Sequence, residues 1–217
     1  MRTRVLLAED HQVMRQGLRS LLENEGRFTV VGETNSGEST VRAAQEKRPD
    51  VVLLDVVMPG MNGIEATRRI SATVPAVKVI GLSAHAARRY VTEMLKAGAF
   101  GYLLKSCAFD ELIRAIRTVL AGEVYLCSKI TGVVVEHYAR GSTSPSPSAY
   151  DVLSSRERQV LQLLAEGLST KEMASRLHVS QRTVETHRRK ISQKLGIRSI
   201  AALTKYAIRE GLASLEP

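Results

Sequence analysis

Residues 51–63 read VVLLDVVMPGMNG: four apolar residues run into a lone carboxylate, Asp55, and the chain then breaks at Pro59 and Gly60. A short apolar run closed by turn residues is a buried strand. An aspartate at its end either caps the following turn or is placed there for its charge. The flanking chain decides between these. Apolar runs recur at 4–8, 28–32, 78–82 and 101–104, and helical periodicity fills the intervals near 12–23, 37–47, 63–72, 87–97 and 109–121. This alternation predicts a doubly wound parallel sheet with helices on both faces, an α/β domain.

In such a sheet, reactive groups collect beyond the carboxyl ends of the strands, where the strand order reverses. The first strand runs into Glu9 and Asp10, the third ends in Asp55, the fourth in Ser83, and the fifth is followed by Lys105. Three carboxylates at one edge repel one another unless a hard cation lies among them. Mg²⁺ suits the set, since it takes one or two carboxylates and completes its shell with water and phosphate oxygens. Asp55 can then attack phosphorus to give an aspartyl-phosphate, while Lys105 and the metal neutralise the transferring oxygens. Ser83 supplies a hydroxyl donor.

The other end of the chain has a different character. Between 140 and 150 the sequence RGSTSPSPSAY has Ser, Pro, Thr or Gly at eight of eleven positions, the composition of a linker. A short helix over 128–139, with Ser128 as its N-cap, joins it to the first domain. Of the +9 net charge, +6 lies in residues 126–217 although that part is the smaller. Six basic residues crowd 180–198 (Arg182, Arg188, Arg189, Lys190, Lys194 and Arg198) against Glu185 alone, which suits a polyanionic partner. Cys107 and Cys127 have no metal-binding spacing, and no apolar run is long enough for a membrane span, so a cytosolic protein is expected.

Ser154 and Ser169, each followed by Glu three residues on, form capping boxes, and Ser180 and Ser199 open two further helical patterns. Gly167, Gly196 and Gly211 fall where helices should stop, so four short helices are expected in 151–212. In TKEMASRLHVSQRTVETHRRKISQKL, a tight turn separates two helices whose apolar positions (Met173, Ala174, Leu177, Val179, Val184, Ile191) pack on each other, a helix-turn-helix pattern. Its second helix turns Val184, Ile191 and Leu195 inward and Arg182, Glu185, Thr186, Arg189 and Gln193 outward, as a stripe for the major groove. Arg182, Arg188 and Lys190 are read as phosphate contacts, and His187 as a packed, hydrogen-bonded residue.

The segments LLAEDH, LLDVVMPGMNG, GLSAH and GYLLK, in this order, resemble the receiver domain of two-component response regulators, and LSSRERQVLQLLAEGLSTKEMASRLHVSQRTVETHRRKISQKLGI resembles the LuxR-type DNA-binding domain. Together they resemble the NarL/FixJ family over nearly the whole chain. The resemblance implies a CheY-like five-stranded sheet of order 2-1-3-4-5. It makes Asp55 the phosphoacceptor, and Glu9, Asp10, Asp55 and the Val57 carbonyl the Mg²⁺ ligands. Ser83 and Tyr102 become the switch pair, Lys105 the active-site lysine, and Glu185, Thr186 and Arg189 base-facing residues. Two departures stand out: Glu9 replaces the commoner aspartate and reaches further, so that it holds the metal through water, and Ser106 stands where many receivers have proline.

Three segments are therefore expected: a receiver over 1–125, a linker over 126–150 and a helix-turn-helix domain over 151–217. The expected partners are a sensor histidine kinase or small phosphodonor, double-stranded DNA, a second copy of the chain on phosphorylation, and RNA polymerase, with no membrane. The chain would catalyse only its own phosphoryl transfer and dephosphorylation. Two rivals remain: an orphan regulator that ignores phosphorylation, and an aspartate-nucleophile phosphatase. The second fits poorly, because Val57 stands where such enzymes carry another carboxylate.

Overall fold

The computed structural model describes residues 2–139 and 148–213, and the chain divides into two compact units, 1–142 and 143–217. The linker residues 140–147 lie outside the described residues. Among the described residues, no helix is long and apolar enough to cross a membrane.

The first unit alternates strand and helix as its periodicity predicts. Its elements are β1 (Thr3–Ala8), α1 (Gln12–Asn24), β2 (Phe28–Thr34), α2 (Gly37–Lys47), β3 (Val51–Asp55), α3 (Gly63–Thr73), β4 (Lys78–Ser83), α4 (Arg88–Lys96), β5 (Gly101–Leu104) and α5 (Phe109–Leu120). Two short additions follow, β6 (Tyr125–Leu126) and α6 (Ser128–Ala139). All strands are parallel, in the order β2-β1-β3-β4-β5-β6. The central strands are buried on both faces, which is why β3 reads as an unbroken apolar run with Val51, Val52, Leu53 and Leu54 at most 1% exposed.

Two features differ from the sequence reading. The sheet has a sixth strand, whose two residues are too few to show any periodicity. The α6 helix begins at Ser128 itself, and its N-cap position falls on Cys127, whose carbonyl accepts from the Thr131 amide at 2.9 Å.

The β3–α3 connection shows why MPGMNG follows Asp55. Gly60 takes φ +81°, which favours glycine, and the Asn62 side chain caps α3 by accepting from the Glu65 amide at 3.0 Å. Gly63 donates to the Val56 carbonyl at 2.9 Å, and a Cβ on it would overlap the Asp55 carbonyl oxygen and come within 2.9 Å of Val56 Cα. Those obstacles are backbone and cannot swing aside. Gly63→Ala is expected to cost about 3 kcal/mol of stability, the upper range for overpacking, with a matching fall in the urea midpoint. An unchanged midpoint would show that α3 does not need this approach.

The second unit is all helical: α7 (Ala149–Val152), α8 (Ser155–Ala165), α9 (Thr170–Arg176), α10 (Gln181–Leu195) and α11 (Ile200–Arg209). Both expected capping boxes form, and Ser180 and Ser199 cap α10 and α11. Gly167, Gly196 and Gly211 take φ of +85°, +67° and +74° at the helix ends. Leu153, Val160, Leu161, Leu163, Met173, Val184, Ile191, Leu203 and Ala207 make the core.

The correction lies at the start of this unit. Ser148, Ala149 and Tyr150, read as the end of the linker, belong to the helical unit. Ser148 and Asp151 form a third capping box, Ala149 is fully buried, and its amide donates to Glu210 Oε2 at 2.9 Å. The small Ala149 carries too weak an apolar signal to stand out beside the Ser/Pro run.

Candidate functional site

Strand register assembles the first site. Ala8 pairs with Leu54, so Glu9 comes level with Asp55; Asp55 pairs with Leu82, and Ser83 with Leu104. Ser83 therefore lies one residue further out than Asp55 and Lys105 two, and the Lys105 amide donates to the Ser83 carbonyl at 2.8 Å. The switch in strand order between β2-β1 and β3 places this edge where the topology opens a crevice.

Lys105 is the hub. Its Nζ lies 2.8 Å from Asp55 Oδ2, 2.9 Å from Glu9 Oε1 and 2.8 Å from Glu9 Oε2. Asp55 Oδ1 accepts from the Val57 amide at 3.1 Å, so Val57, expected to offer its carbonyl, meets Asp55 through its N–H. Burial, then the neighbouring Glu9 charge, raises the Asp55 carboxyl to about 7, against a partial offset from Lys105. For Lys105, burial works downward, but the Asp55 and Glu9 charges and hydrogen bonds outweigh it and its pKa moves up.

The acidic edge gathers the ligand atoms that a cation needs. Ligand atoms of Glu9, Asp10, His11 and Asp55 all lie within 4.8 Å of one another. Glu9 Oε2 and Asp10 Oδ1 are buried and accept no hydrogen bond, although Lys105 Nζ lies 2.8 Å from the first and His11 Nδ1 2.9 Å from the second. Carboxylate oxygens held together in this state are a donor set for a hard divalent ion. The cluster is thus a receiver-type Mg²⁺ site, with Glu9, Asp10 and Asp55 as its acidic groups. His11 and Arg15 escaped the sequence reading. His11 Nδ1 is also 3.0 Å from Glu9 Oε1, and its pKa is raised by the hydrogen bond to Glu9 and then by the Asp10 charge. Arg15 Nη1 donates to the Glu9 carbonyl at 2.6 Å. For His11 the signal was available, as it directly follows the acidic pair.

Ser83 and Tyr102 meet around His85. Ser83 Oγ accepts from the His85 amide at 3.0 Å, and the fully buried Tyr102 donates its hydroxyl to the His85 carbonyl at 2.8 Å. Burial pushes the Tyr102 hydroxyl up, and the Ser83 hydroxyl works against that shift. The His85 ring stacks on Tyr90 of α4, with centroids 5.2 Å apart. Rearrangement at Ser83 would therefore reach α4 through one residue.

In the second unit, α10 is two-faced as expected. Val184 and Ile191 are buried and Leu195 packs against the core, while Arg182, Glu185, Thr186, Arg189, Lys190 and Gln193 are exposed. Arg188 is half-buried, its Nη1 donating to Thr170 Oγ1 of α9 at 3.3 Å. Lys194 leaves the basic face and pairs with the buried Glu157 of α8 at 2.7 Å. His178 makes the turn between α9 and α10 with φ +53°, a left-handed conformation that histidine tolerates better than most residues. One reading needs correction: His187 is half-buried, but its buried Nδ1 accepts no hydrogen bond, and burial followed by the Arg156 charge lowers its pKa.

Comparisons with known proteins agree with this division. Residues 5–117 match the response regulator receiver domain, and residues 151–207 match the luxR family of bacterial regulatory proteins. The chain is 37% identical over 212 residues to response regulator UvrY of Escherichia coli (strain K12), covering 98% of this chain and 96% of that protein. Among solved structures, it is similar to response regulator ChrA of a haem-sensing two-component system, at 33% identity and a TM-score of 0.54, covering 97% of this chain and 98% of that one. It is also similar to RcsB of Salmonella enterica serovar Typhimurium, solved bound to a promoter with phosphomimetic BeF3⁻, at 25% identity and a TM-score of 0.61 over 95% of this chain and 98% of that one. The chain belongs to the two-component response regulators that join a receiver to a LuxR-type helix-turn-helix domain, phosphorylation-linked regulators of transcription.

Proposed function

We propose that phosphorylation of Asp55, by a sensor histidine kinase or a small phosphodonor, switches this chain's binding to double-stranded DNA. The observation that carries the reading is Lys105 Nζ placed 2.8 Å from Asp55 beside two buried carboxylate oxygens that accept no hydrogen bond. An Asp55 oxygen attacks the donor's phosphorus as its bond to the kinase histidine nitrogen, or to the acyl oxygen of a small phosphodonor, breaks and that group departs, while Lys105 holds charge on the transferring oxygens. Ser83 gives its hydroxyl to the new phosphoryl group, and Tyr102 reads the change through His85. Glu9, Asp10, Asp55 and the Val57 carbonyl would hold Mg²⁺, which when bound would neutralise phosphoryl oxygens. The receiver spans 1–125, and the DNA-binding unit is best begun at Ser148 rather than 151, since Ala149 lies in its core.

On the DNA side, α10 enters the major groove. Arg189 serves guanine and Glu185 cytosine, and Thr186, whose hydroxyl is bonded to the Arg182 carbonyl at 2.8 Å, offers its methyl to thymine. Arg182, Arg188 and Lys190 take phosphates, and Gln193 extends the stripe. The promoter-bound state of RcsB supports DNA as the target. Pairing of two protomers on two half-sites, contact with RNA polymerase and a cytoplasmic setting complete the proposal.

Incubation with Mg²⁺ and acetyl phosphate, followed by intact mass, sedimentation and DNA binding, tests it. The expected result is one phosphoryl group per chain, a shift toward dimer and tighter DNA binding. Labelling without change in DNA affinity would favour the orphan regulator, and sustained turnover of phosphate esters without accumulated label the phosphatase.

The raised Asp55 carboxyl makes metal binding pH-dependent. Its folded pKa of about 7 lies above its ordinary 3.8, so in metal-free protein the stability it contributes is full below the lower value and is lost as pH rises through the higher. Mg²⁺ needs the ionised form, so its affinity rises through the same window and then levels off. Calorimetry should find the dissociation constant about tenfold weaker at pH 6 than at pH 8, with a smaller dependence in Asp55→Asn. A constant affinity from pH 6 to 8 would contradict the assignment.

A further inference from the structure

We infer that His11 supplies a nitrogen ligand to the acidic site, so that the site takes a first-row transition ion such as Co²⁺ or Zn²⁺ more tightly than Mg²⁺. The inference rests on the metal-site reading above and extends it to one further residue. His11 Nδ1 lies 2.9 Å from Asp10 Oδ1 and 3.0 Å from Glu9 Oε1. Those separations equal the edge of an octahedron whose metal–ligand bonds are about 2.1 Å. The residue stands at the N-cap position of α1, yet its side chain makes no capping hydrogen bond, so helix capping does not account for the ring's placement.

Burial points the same way. Glu9 is 1% exposed with one oxygen accepting no hydrogen bond, whereas the His11 side chain is 60% exposed and meets both Glu9 and Asp10 from the solvent side. Three carboxylates alone describe a hard-ion site. A nitrogen added to them favours ions later in the first transition row, for which imidazole is a good ligand, while Mg²⁺ gains little from it.

The test uses the full chain and the ions alone. Dissociation constants for Mg²⁺ and Co²⁺ are measured by calorimetry for the parent, His11→Ala and His11→Gln, with circular dichroism to check folding. Proton NMR of the Co²⁺ form reports paramagnetically shifted imidazole resonances. Expected are tighter binding of Co²⁺ than Mg²⁺ by the parent, and a loss of about tenfold or more for Co²⁺ in both variants against less than about twofold for Mg²⁺. The shifted imidazole signals should vanish with His11. Equal losses for the two ions, or shifted signals that survive in the variants, would overturn the inference and leave the Mg²⁺ reading intact. A parent chain that binds neither ion would overturn both.

Discussion

Asp55→Asn is expected to take up no phosphoryl group from acetyl phosphate in the presence of Mg²⁺, under conditions that label the parent chain once. The amide is no nucleophile, and it removes one of the carboxylates that hold the metal. The fold should survive. Asparagine keeps the volume and can still accept from the Val57 amide, and it relieves a buried carboxylate that is costly to ionise beside Glu9. In metal-free buffer at pH 8 the variant should melt above the parent, and Mg²⁺ should raise the parent's melting temperature more than the variant's. One label per chain in Asp55→Asn would move the phosphoacceptor elsewhere.

Arg189→Ala is expected to cost about 1–3 kcal/mol of DNA affinity and to relax preference at one base pair. Arg189 is exposed on α10, one turn on from Glu185 and on the face opposite Ile191. Lys190→Ala, also exposed, should weaken all sequences alike and flatten the salt dependence by about one phosphate's worth. Competition binding against single-base operator variants at several salt concentrations separates the two. If both substitutions weaken every sequence equally, Arg189 is a backbone contact and the assignment of the base-reading stripe is wrong.

Much of this was legible in the chain because the signals are redundant. The β3 segment announces itself by apolar content, length and a closing turn at once, and the β1, β4 and β5 ends place their polar residues at matching positions. The α10 stripe likewise follows from helical spacing alone, and Arg182, Glu185, Thr186, Arg189 and Gln193, expected to face outward there, are all exposed, whereas Arg188, read as a phosphate contact, is half-buried. What escaped is short or depends on tertiary packing. The two residues of β6 have no pattern of their own and pair only because β5 offers an edge. Ala149 reads as linker until its amide meets Glu210, sixty-one residues away. Nothing local marks Lys194 as a partner for Glu157 rather than for DNA, since an i+4 rhythm cannot see across to another helix. His187 failed in its hydrogen bonding, because position on a helix predicts burial better than it predicts partners.

The central claim is that Asp55 controls the DNA-binding unit, and it is tested most directly by measuring DNA affinity of the full chain before and after phosphorylation at fixed salt. The account predicts tighter binding of the phosphorylated chain to a two-half-site operator, with Asp55→Asn held at the unphosphorylated value whether or not phosphodonor is present. Equal affinities for the phosphorylated and unphosphorylated parent, with labelling at Asp55 verified in the same sample, would contradict it.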